Sequence, residues 1–309
     1  MQQEITKLNK EIDLKQILLY ALNKKILISS ITMIGATISV LFSLSLPNIY
    51  TSKALLAPVS EDETLSGKLS SFNSVSSLGG LSFSSPIVSK RNEGIERIKS
   101  YEFFSNYFLP NIKLENIMAV DKWIPEENLL IYDKNIFDKN NEKWVRSVKF
   151  PKQIKPSDQE AYEVYRQILK IDVNQRTSFI ELSIDHHSPE ISKKWLETII
   201  YQINESMRKI DTEIAKKSIS YLNDSSQATN IESIRDVIAT LLENQMQVLM
   251  LAASTSDYVY KIIDSPIAPE YKSKPNRKLI SILGTFLCFI LSLVFVIILY
   301  IRSLNKMKY

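Results

Sequence analysis

Residues 264–301 read DSPIAPEYKSKPNRKLISILGTFLCFILSLVFVIILYI. Prolines 266, 269 and 275 and a basic cluster run directly into an apolar segment, and from Leu279 to Ile301 there is no Asp, Glu, Lys, Arg or His. An apolar run of about 20 residues is the length that crosses a bilayer core as a helix. It has to be helical, because lipid offers the backbone no hydrogen-bond partner. The rest of the chain is placed relative to this anchor.

A second uncharged run, Ile26 to Leu46, follows Lys24 and Lys25. Its 21 residues exceed the apolar core of a signal peptide, roughly 7–15 residues, and its polar leader is long and carries acids. It reads as a first membrane span, 26–46, paired with a second, 279–301. Residues 1–25 carry Lys7, Lys10, Lys15, Lys24 and Lys25, whereas residues 47–66 carry only Lys53. That bias puts the N-terminus in the cytoplasm. Two spans then return the tail 302–309 to the same side. Residues 47–278 are expected outside: a base formed by 47–187 and 254–265, a helical region 188–253 and a proline-rich segment 266–278. The flanking tails are expected to be too short for a catalytic domain. Lys272, Lys274, Arg277 and Lys278 lie on the outer side of the second span, where basic residues meet lipid headgroups or an anionic partner.

Composition excludes several functions. The formal net charge is +4 across 309 residues, with basic residues dispersed, so nucleic acid is not an expected partner. The lone cysteine, Cys288, lies inside the second apolar run, where its thiolate would be desolvated. There is no G-x-x-x-x-G-K-[ST] loop and no G-x-S-x-G elbow. His186 and His187 are the only histidines. Adjacent strand residues face opposite ways, so the pair reads as polar turn residues rather than metal ligands. No catalytic, cofactor-binding or metal-binding residue is expected, and the chain reads as a non-enzyme.

The periodicities between the spans outline an α+β domain. An amphipathic segment with Ile5, Leu8, Ile12, Leu14, Ile17 and Leu18 precedes the first span. Tyr50–Val59 and Ser256–Ser265 have strand composition, each next to a span, and are expected to pair in one sheet with helices packed on it. The Ser-rich residues 60–92 carry recurring apolar positions at Leu69, Phe72, Val75, Leu78, Leu81 and Phe83, and read as a loop packed on a neighbouring subunit. Glu93–Phe108 reads as two short helices broken near Ser100, and 110–160 as loop-rich, with Trp123 and Trp144 as packing residues. Ser157 caps a helix over Gln159–Leu169, and two strands follow, Lys170–Val173 and Ser178–Asp185, joined by a turn at Asn174–Arg176.

Ser188-Pro189-Glu190 opens the longest helical region. One apolar stripe runs from Ile191 to Tyr221, and a second through Ile231, Ile234, Ile238, Leu241, Gln245, Val248 and Ala252. The polar stretch Asn223–Asn230 between them has no Gly or Pro. Unbroken, 190–253 would reach roughly 95 Å; folded back, half that. Either the region folds on itself or it packs against copies of the same chain, with Ile231, Ile234, Ile238, Leu241, Gln245 and Val248 as a helix-helix seam.

These features resemble the Wzz-type polysaccharide co-polymerases, the O-antigen chain-length determinants of Gram-negative inner membranes. The resemblance is most specific at the entry, DLKQILLYALNKKILI through Pro47, Tyr50 and TSKALLAP, and at the exit, Pro266, Pro269, Pro275, Arg277, Lys278 and Gly284. LLENQMQVLMLA also matches the end of the family's long helix. The chain departs from the pattern where Glu270–Lys274 stretch the proline spacing, where Cys288 replaces a second small residue, and through 60–160. The resemblance implies two transmembrane helices flanking a periplasmic domain with an α/β base and a long extended helix. It implies a ring of identical subunits in the inner membrane, both termini cytoplasmic. The ring would act with a Wzy-type polymerase on nascent polysaccharide to set O-antigen length, the proline segment and second span contacting the polymerase. An adaptor for capsule or exopolysaccharide assembly or export is the alternative within the same superfamily. No cofactor is implied.

Overall fold

The structure, a computed structural model, describes residues 19–20, 22–59 and 86–306. The amphipathic segment from Ile5 to Leu18 and the apolar positions from Leu69 to Phe83 lie outside the described residues. The chain divides into two units: residues 1–48 with 273–309, and residues 49–272.

The first unit is a pair of apolar helices, α1 (Lys25–Ser45) and a C-terminal helix over Arg277–Lys306. The second unit begins with strand β1 (Tyr50–Pro58), followed by helix α2 (Pro86–Lys99). The expected break at Ser100 is present: its side chain accepts from the Phe103 N–H and caps a short helical turn, Tyr101–Phe103. A π-helical turn, Phe104–Phe108, follows and buries Phe104 and Phe108. Between 110 and 160 the chain is more ordered than its prolines suggest. It forms α3 (Leu114–Met118), the hairpin β2 (Val120–Ile124) with β3 (Leu129–Tyr132), and a two-residue pair, β4 (Phe137–Asp138) with β5 (Lys143–Trp144). Trp123 packs edge-on against Tyr50 with ring centroids 5.4 Å apart, and Trp144 packs on Phe137 at 5.0 Å, so both tryptophans are packing residues.

Helix α4 (Asp158–Ile168) starts at a complete capping box: the Ser157 hydroxyl accepts from the Glu160 N–H, and the Glu160 carboxylate accepts from the Ser157 N–H. Two orphan donors are satisfied reciprocally. The same carboxylate takes both terminal nitrogens of Arg146 at 2.7 Å, and Arg146 also donates to the Gln153 and Ile154 carbonyls. That guanidinium holds the Glu160 carboxyl down at about 2 and clamps the loop ahead of the helix.

Strands β6 (Leu169–Val173) and β7 (Ile180–His186) form the expected hairpin. Helix α5 (Pro189–Ala228) begins with Ser188 as cap and Pro189 at the first turn, and continues for 40 residues. It ends at Thr229 in extended backbone, and α6 (Glu232–Ser254) packs back along it. The helical region therefore folds on itself. β8 (Tyr260–Asp264) completes a four-stranded sheet in the order β6-β7-β1-β8, and the last helix, over Arg277–Lys306, is α7. The two strands expected to pair do so, antiparallel, from Leu55 opposite Asp264 to Pro58 opposite Tyr260, with one register irregularity.

The core lies where the sheet meets α2, α4 and the first half of α5. Leu56, Leu182 and Ile184 from the sheet, Tyr165 from α4 and Leu196, Ile199 and Ile203 from α5 are fully buried. Among the polar side chains buried with them, one bonds three backbone groups. Asn204 is buried on α5; its Oδ1 accepts from the Val259 and Tyr260 N–H groups and its Nδ2 donates to the Tyr260 carbonyl at 3.0 Å. It ties the helix to the strand that returns the chain. Replacing it would strand three buried backbone groups, each costing about 1–3 kcal/mol. Asn204→Leu is therefore expected to lower the unfolding free energy by roughly 3 kcal/mol or more. Thermal unfolding of the detergent-held protein tests this; a midpoint equal to wild type would remove Asn204 from that role.

Candidate functional site

Among the described residues no group of three His, Cys, Asp or Glu side chains could hold a metal ion. Of the two histidines read as polar turn residues, His187 stands in the bend between β7 and α5, whereas His186 does not. His186 ends β7 and is buried: its ring lies 4.6 Å from that of Trp195, Nε2 meets the Asn116 carbonyl at 3.0 Å, and Nδ1 accepts from the Ser188 N–H. Both ring nitrogens are used inside the fold. Burial pushes its pKa down to about 4 from the usual 6.5. The unfolded chain therefore takes up a proton first as pH falls, and folded-state stability is lost between about 6.5 and 4. The difference corresponds to roughly 3 kcal/mol. We expect the thermal midpoint to fall across that window, and His186→Gln to flatten the slope; an unchanged slope would count against the assignment.

The residues singled out at the exit fall into both units. Pro266 is buried and Pro269 half-buried in the segment after β8, which β1 holds by a bond from Ser52 Oγ to the Ile267 carbonyl at 2.8 Å. Pro275, Arg277, Lys278 and Gly284 belong to the apolar helix pair. Arg277 opens α7, and its guanidinium donates to the Leu46 carbonyl and to Asn48 Oδ1, closing the C-terminal end of α1. Lys278 is exposed.

Gly284 has a steric reason. A Cβ placed there would overlap Ser39 Oγ on α1, and one turn along, a Cβ at Gly35 would overlap the Cys288 side chain. Gly35 and Ser39 thus face Cys288 and Gly284, small against small. Cys288, the apparent departure from a glycine repeat, meets a glycine on the other helix. Ser39 Oγ donates to the Ile280 carbonyl at 3.2 Å, and Ser43 Oγ to the Arg277 carbonyl at 3.3 Å. The large side chains point the other way: Ile26 is 77% exposed and Phe286 60%. Small residues inside and large apolar residues outside is the inverse of a water-soluble helix pair and is how helices meet in lipid. Gly284→Ala is expected to destabilise the pair by about 1–3 kcal/mol through overpacking, and Ser39→Gly to restore it. Additive effects on the thermal midpoint would show that the two positions do not touch.

The expected seam on α6 divides. Ile231, Ile234 and Leu241 are exposed, Gln245 and Val248 are half-buried, and Ile238 is buried at 7% exposure. Ile238 therefore belongs to the inner face of the hairpin. Val237, at 59% exposure, and Met250, also at 59%, join the outer stripe in its place. The periodicity alone did not separate positions 237 and 238. α6 also brings a correction: among the described residues three helices, not two, are long and apolar enough to cross a membrane, namely Lys25–Ser45, Glu232–Ser254 and Arg277–Arg302.

The family described as Wzz, chain length determinant protein, matches residues 10–108, from ahead of α1 through β1 and α2 to Phe108. That third of the chain is Wzz-like. No curated protein matches the sequence. Among solved structures, a full-length bacterial polysaccharide co-polymerase is similar at 13% identity and a TM-score of 0.40, covering 96% of this chain and 98% of its own. A fragment of WzzB, a polysaccharide co-polymerase from Salmonella Typhimurium, is similar at 13% identity and a TM-score of 0.31, covering 74% of this chain and all of the fragment.

Proposed function

We propose that the chain is a membrane-anchored polysaccharide co-polymerase, a non-enzymatic regulator of the length of a surface polysaccharide, O-antigen in the first instance. The observation that carries this reading is the Wzz-like stretch over residues 10–108, which takes in the first apolar helix and the strand that enters the sheet. The arrangement within each unit supports it. α1 and α7 form an antiparallel pair with its large apolar residues outward, as two spans would. With the N-terminus in the cytoplasm, residues 49–272 lie in the periplasm and the C-terminus returns to the cytoplasm.

In this reading α6 is not a third span. Glu243, Asn244, Gln245 and Gln247 lie near its middle, and a carboxylate at the bilayer centre costs about 2.5–3.5 kcal/mol even on the most lenient scale. Its exposed Ile231, Ile234, Val237, Leu241 and Met250 instead meet other copies of the chain, giving a ring. The segment from Pro266 to Pro275, with the outer face of α7, contacts a Wzy-type polymerase, and the ring sets how long the growing chain stays engaged.

Deleting the gene is expected to abolish modal banding on a lipopolysaccharide gel while polymer is still made. Pro269→Ala or Pro275→Ala should shift the modal length with the ring intact, and Leu241→Glu should reduce the particle in detergent to smaller species. Normal O-antigen banding with altered capsule would favour the capsule adaptor. Unchanged O-antigen and capsule together would refute the co-polymerase reading.

A further inference from the structure

A cleft of about 290 Å³ opens on the periplasmic unit where α3, the β2–β3 hairpin, the β4–β5 turn and the first turn of α5 come together. Seven polar side chains line it: Lys113, Asn116, Asn128, Tyr132, Lys139, Ser188 and Glu190; the Ser188 hydroxyl caps α5, accepting from the Ile191 N–H. Two hydrogen bonds set which atoms remain available. Asn116 Oδ1 accepts from the Tyr132 hydroxyl at 2.7 Å, and Asn128 Oδ1 accepts from Trp123 Nε1 at 2.8 Å. Each asparagine has committed its oxygen and keeps its amide N–H groups. Asn116 is held a second time through its carbonyl, by His186 Nε2. Lys113, Lys139 and Glu190 form no ion pair among the described residues. Lys139 Nζ lies over the half-buried Tyr132 ring, 5.9 Å from its centroid.

The cleft therefore offers two amides and two cations that donate, against one carboxylate that only accepts, with the Tyr132 and Ser188 hydroxyls able to do either and one aromatic ring beside them. One carboxylate alone is no metal site. The ring gives an apolar C–H face something to pack on, and fixed amide donors read oxygen atoms by direction. The volume is at the lower limit of small-ligand pockets, roughly 300 Å³, and suits a single sugar ring. A plain hexose presents hydroxyls that donate as readily as they accept, and so fits a donor-rich site poorly. A sugar carrying a carboxylate, which only accepts, or an acetamido group, whose carbonyl oxygen accepts more strongly than a hydroxyl, fits it better.

We propose that this cleft binds one residue of the polysaccharide, a sugar carrying a carboxylate or an acetamido group. Tyr132 packs against the sugar face, Asn116 and Asn128 donate to ring-substituent oxygens, Lys113 and Lys139 meet the carboxylate or acetamido oxygen, and Glu190 takes a hydroxyl proton. The proposal rests on the co-polymerase reading for its source of sugar. An open cleft of this size binds weakly alone. Repeated around a ring of subunits it raises the effective concentration of neighbouring sites and holds a long chain by many weak contacts.

The test is saturation-transfer NMR on the full-length protein in nanodiscs, with glucuronate, N-acetylglucosamine, glucose and, as competitor, inorganic phosphate. Transfer to glucuronate or N-acetylglucosamine at least tenfold stronger than to glucose is expected. Asn128→Asp replaces the amide donors by an acceptor while keeping an oxygen for Trp123 and tolerating the left-handed φ of 49° at that position. It should weaken binding at least threefold, as should Lys113→Gln with Lys139→Gln; Lys134→Gln should leave it unchanged. No transfer to any sugar, equal transfer to glucose, or binding untouched by Asn128→Asp overturns the proposal. So does complete displacement by millimolar phosphate in the Lys113→Gln, Lys139→Gln protein. In cells, Asn128→Asp should shift the modal length at normal protein level, and an unshifted distribution overturns the link to length. If deleting the gene leaves modal length unchanged while the sugar still binds through Asn128, the co-polymerase reading falls and the cleft stands. If deletion abolishes modal banding and no sugar binds, the reverse holds.

Discussion

β1 is clasped on both sides by strands that arrive much later in the chain. Tyr50 lies opposite His186, and Pro58 opposite Tyr260. Because both pairings are antiparallel, the strand that leaves the unit runs back along the strand that enters it, and Ser52 holds the following residues at Ile267. Residues 49 and 272 are thereby brought out at one end of the sheet. Long-range pairing of this kind is entropically costly to close, so it needs a firm lock, and Asn204 supplies one by bonding the β8 backbone from α5. The same strand end carries Tyr260, whose hydroxyl donates to the Arg91 carbonyl at 2.7 Å. A Cβ on Gly94 would overlap that ring, so α2 approaches β8 only because residue 94 is glycine.

Local signals were legible where a short stretch of chain satisfies its own backbone. Ser157 with Glu160, Ser188 with Pro189 and Ser100 each start a helix where the sequence places one. The strand pair beside the two apolar runs was legible for a different reason: both stretches have strand composition and each adjoins an apolar run, and two apolar runs that pair would bring the stretches next to them together. The turn at Thr229–Ile231 was not legible. It contains neither Gly nor Pro, and the reversal is set by α6 packing on α5 rather than by turn chemistry. The short strands β2 to β5 were missed because two- to five-residue elements carry too little periodicity to register. The burial of His186 was invisible for a different reason: its partners come from α3, through Asn116, and from the start of α5, through Ser188 and Trp195, and only the fold brings those two elements onto the end of β7.

The contact across the apolar helix pair shows how a substitution can be read only with its partner in view. On α7 alone, Cys288 breaks a repeat of small residues. Against α1 it fills the space that Gly35 leaves open, while Ser39 fills the space at Gly284. Approach is kept by placing one glycine on each helix, one turn of contact apart, instead of both on one. Serine hydroxyls on α1 then bond the first-turn carbonyls of α7 without asking lipid for a partner.

The long hairpin of α5 and α6 is the part of the fold that does not account for itself. The buried positions of α5 crowd into its first half, Pro189 to Met207, with Ala215 the only one beyond. α6 buries only Ile238 and Ala252. The distal half is two helices covering one stripe of each other, while Tyr221 at 72% exposure and Ile231, Val237 and Met250 between 57% and 59% face away. Two isolated helices of this length gain little from propensity, because helical stability in proteins comes mostly from tertiary burial of an apolar face. Glu243, Asn244, Gln245 and Gln247 on α6 make lipid a poor cover, and the core is too distant along α5 to provide one. A surface that is apolar in rows and polar between them is suited to another helix of the same kind, where long side chains interdigitate and amides fix the register.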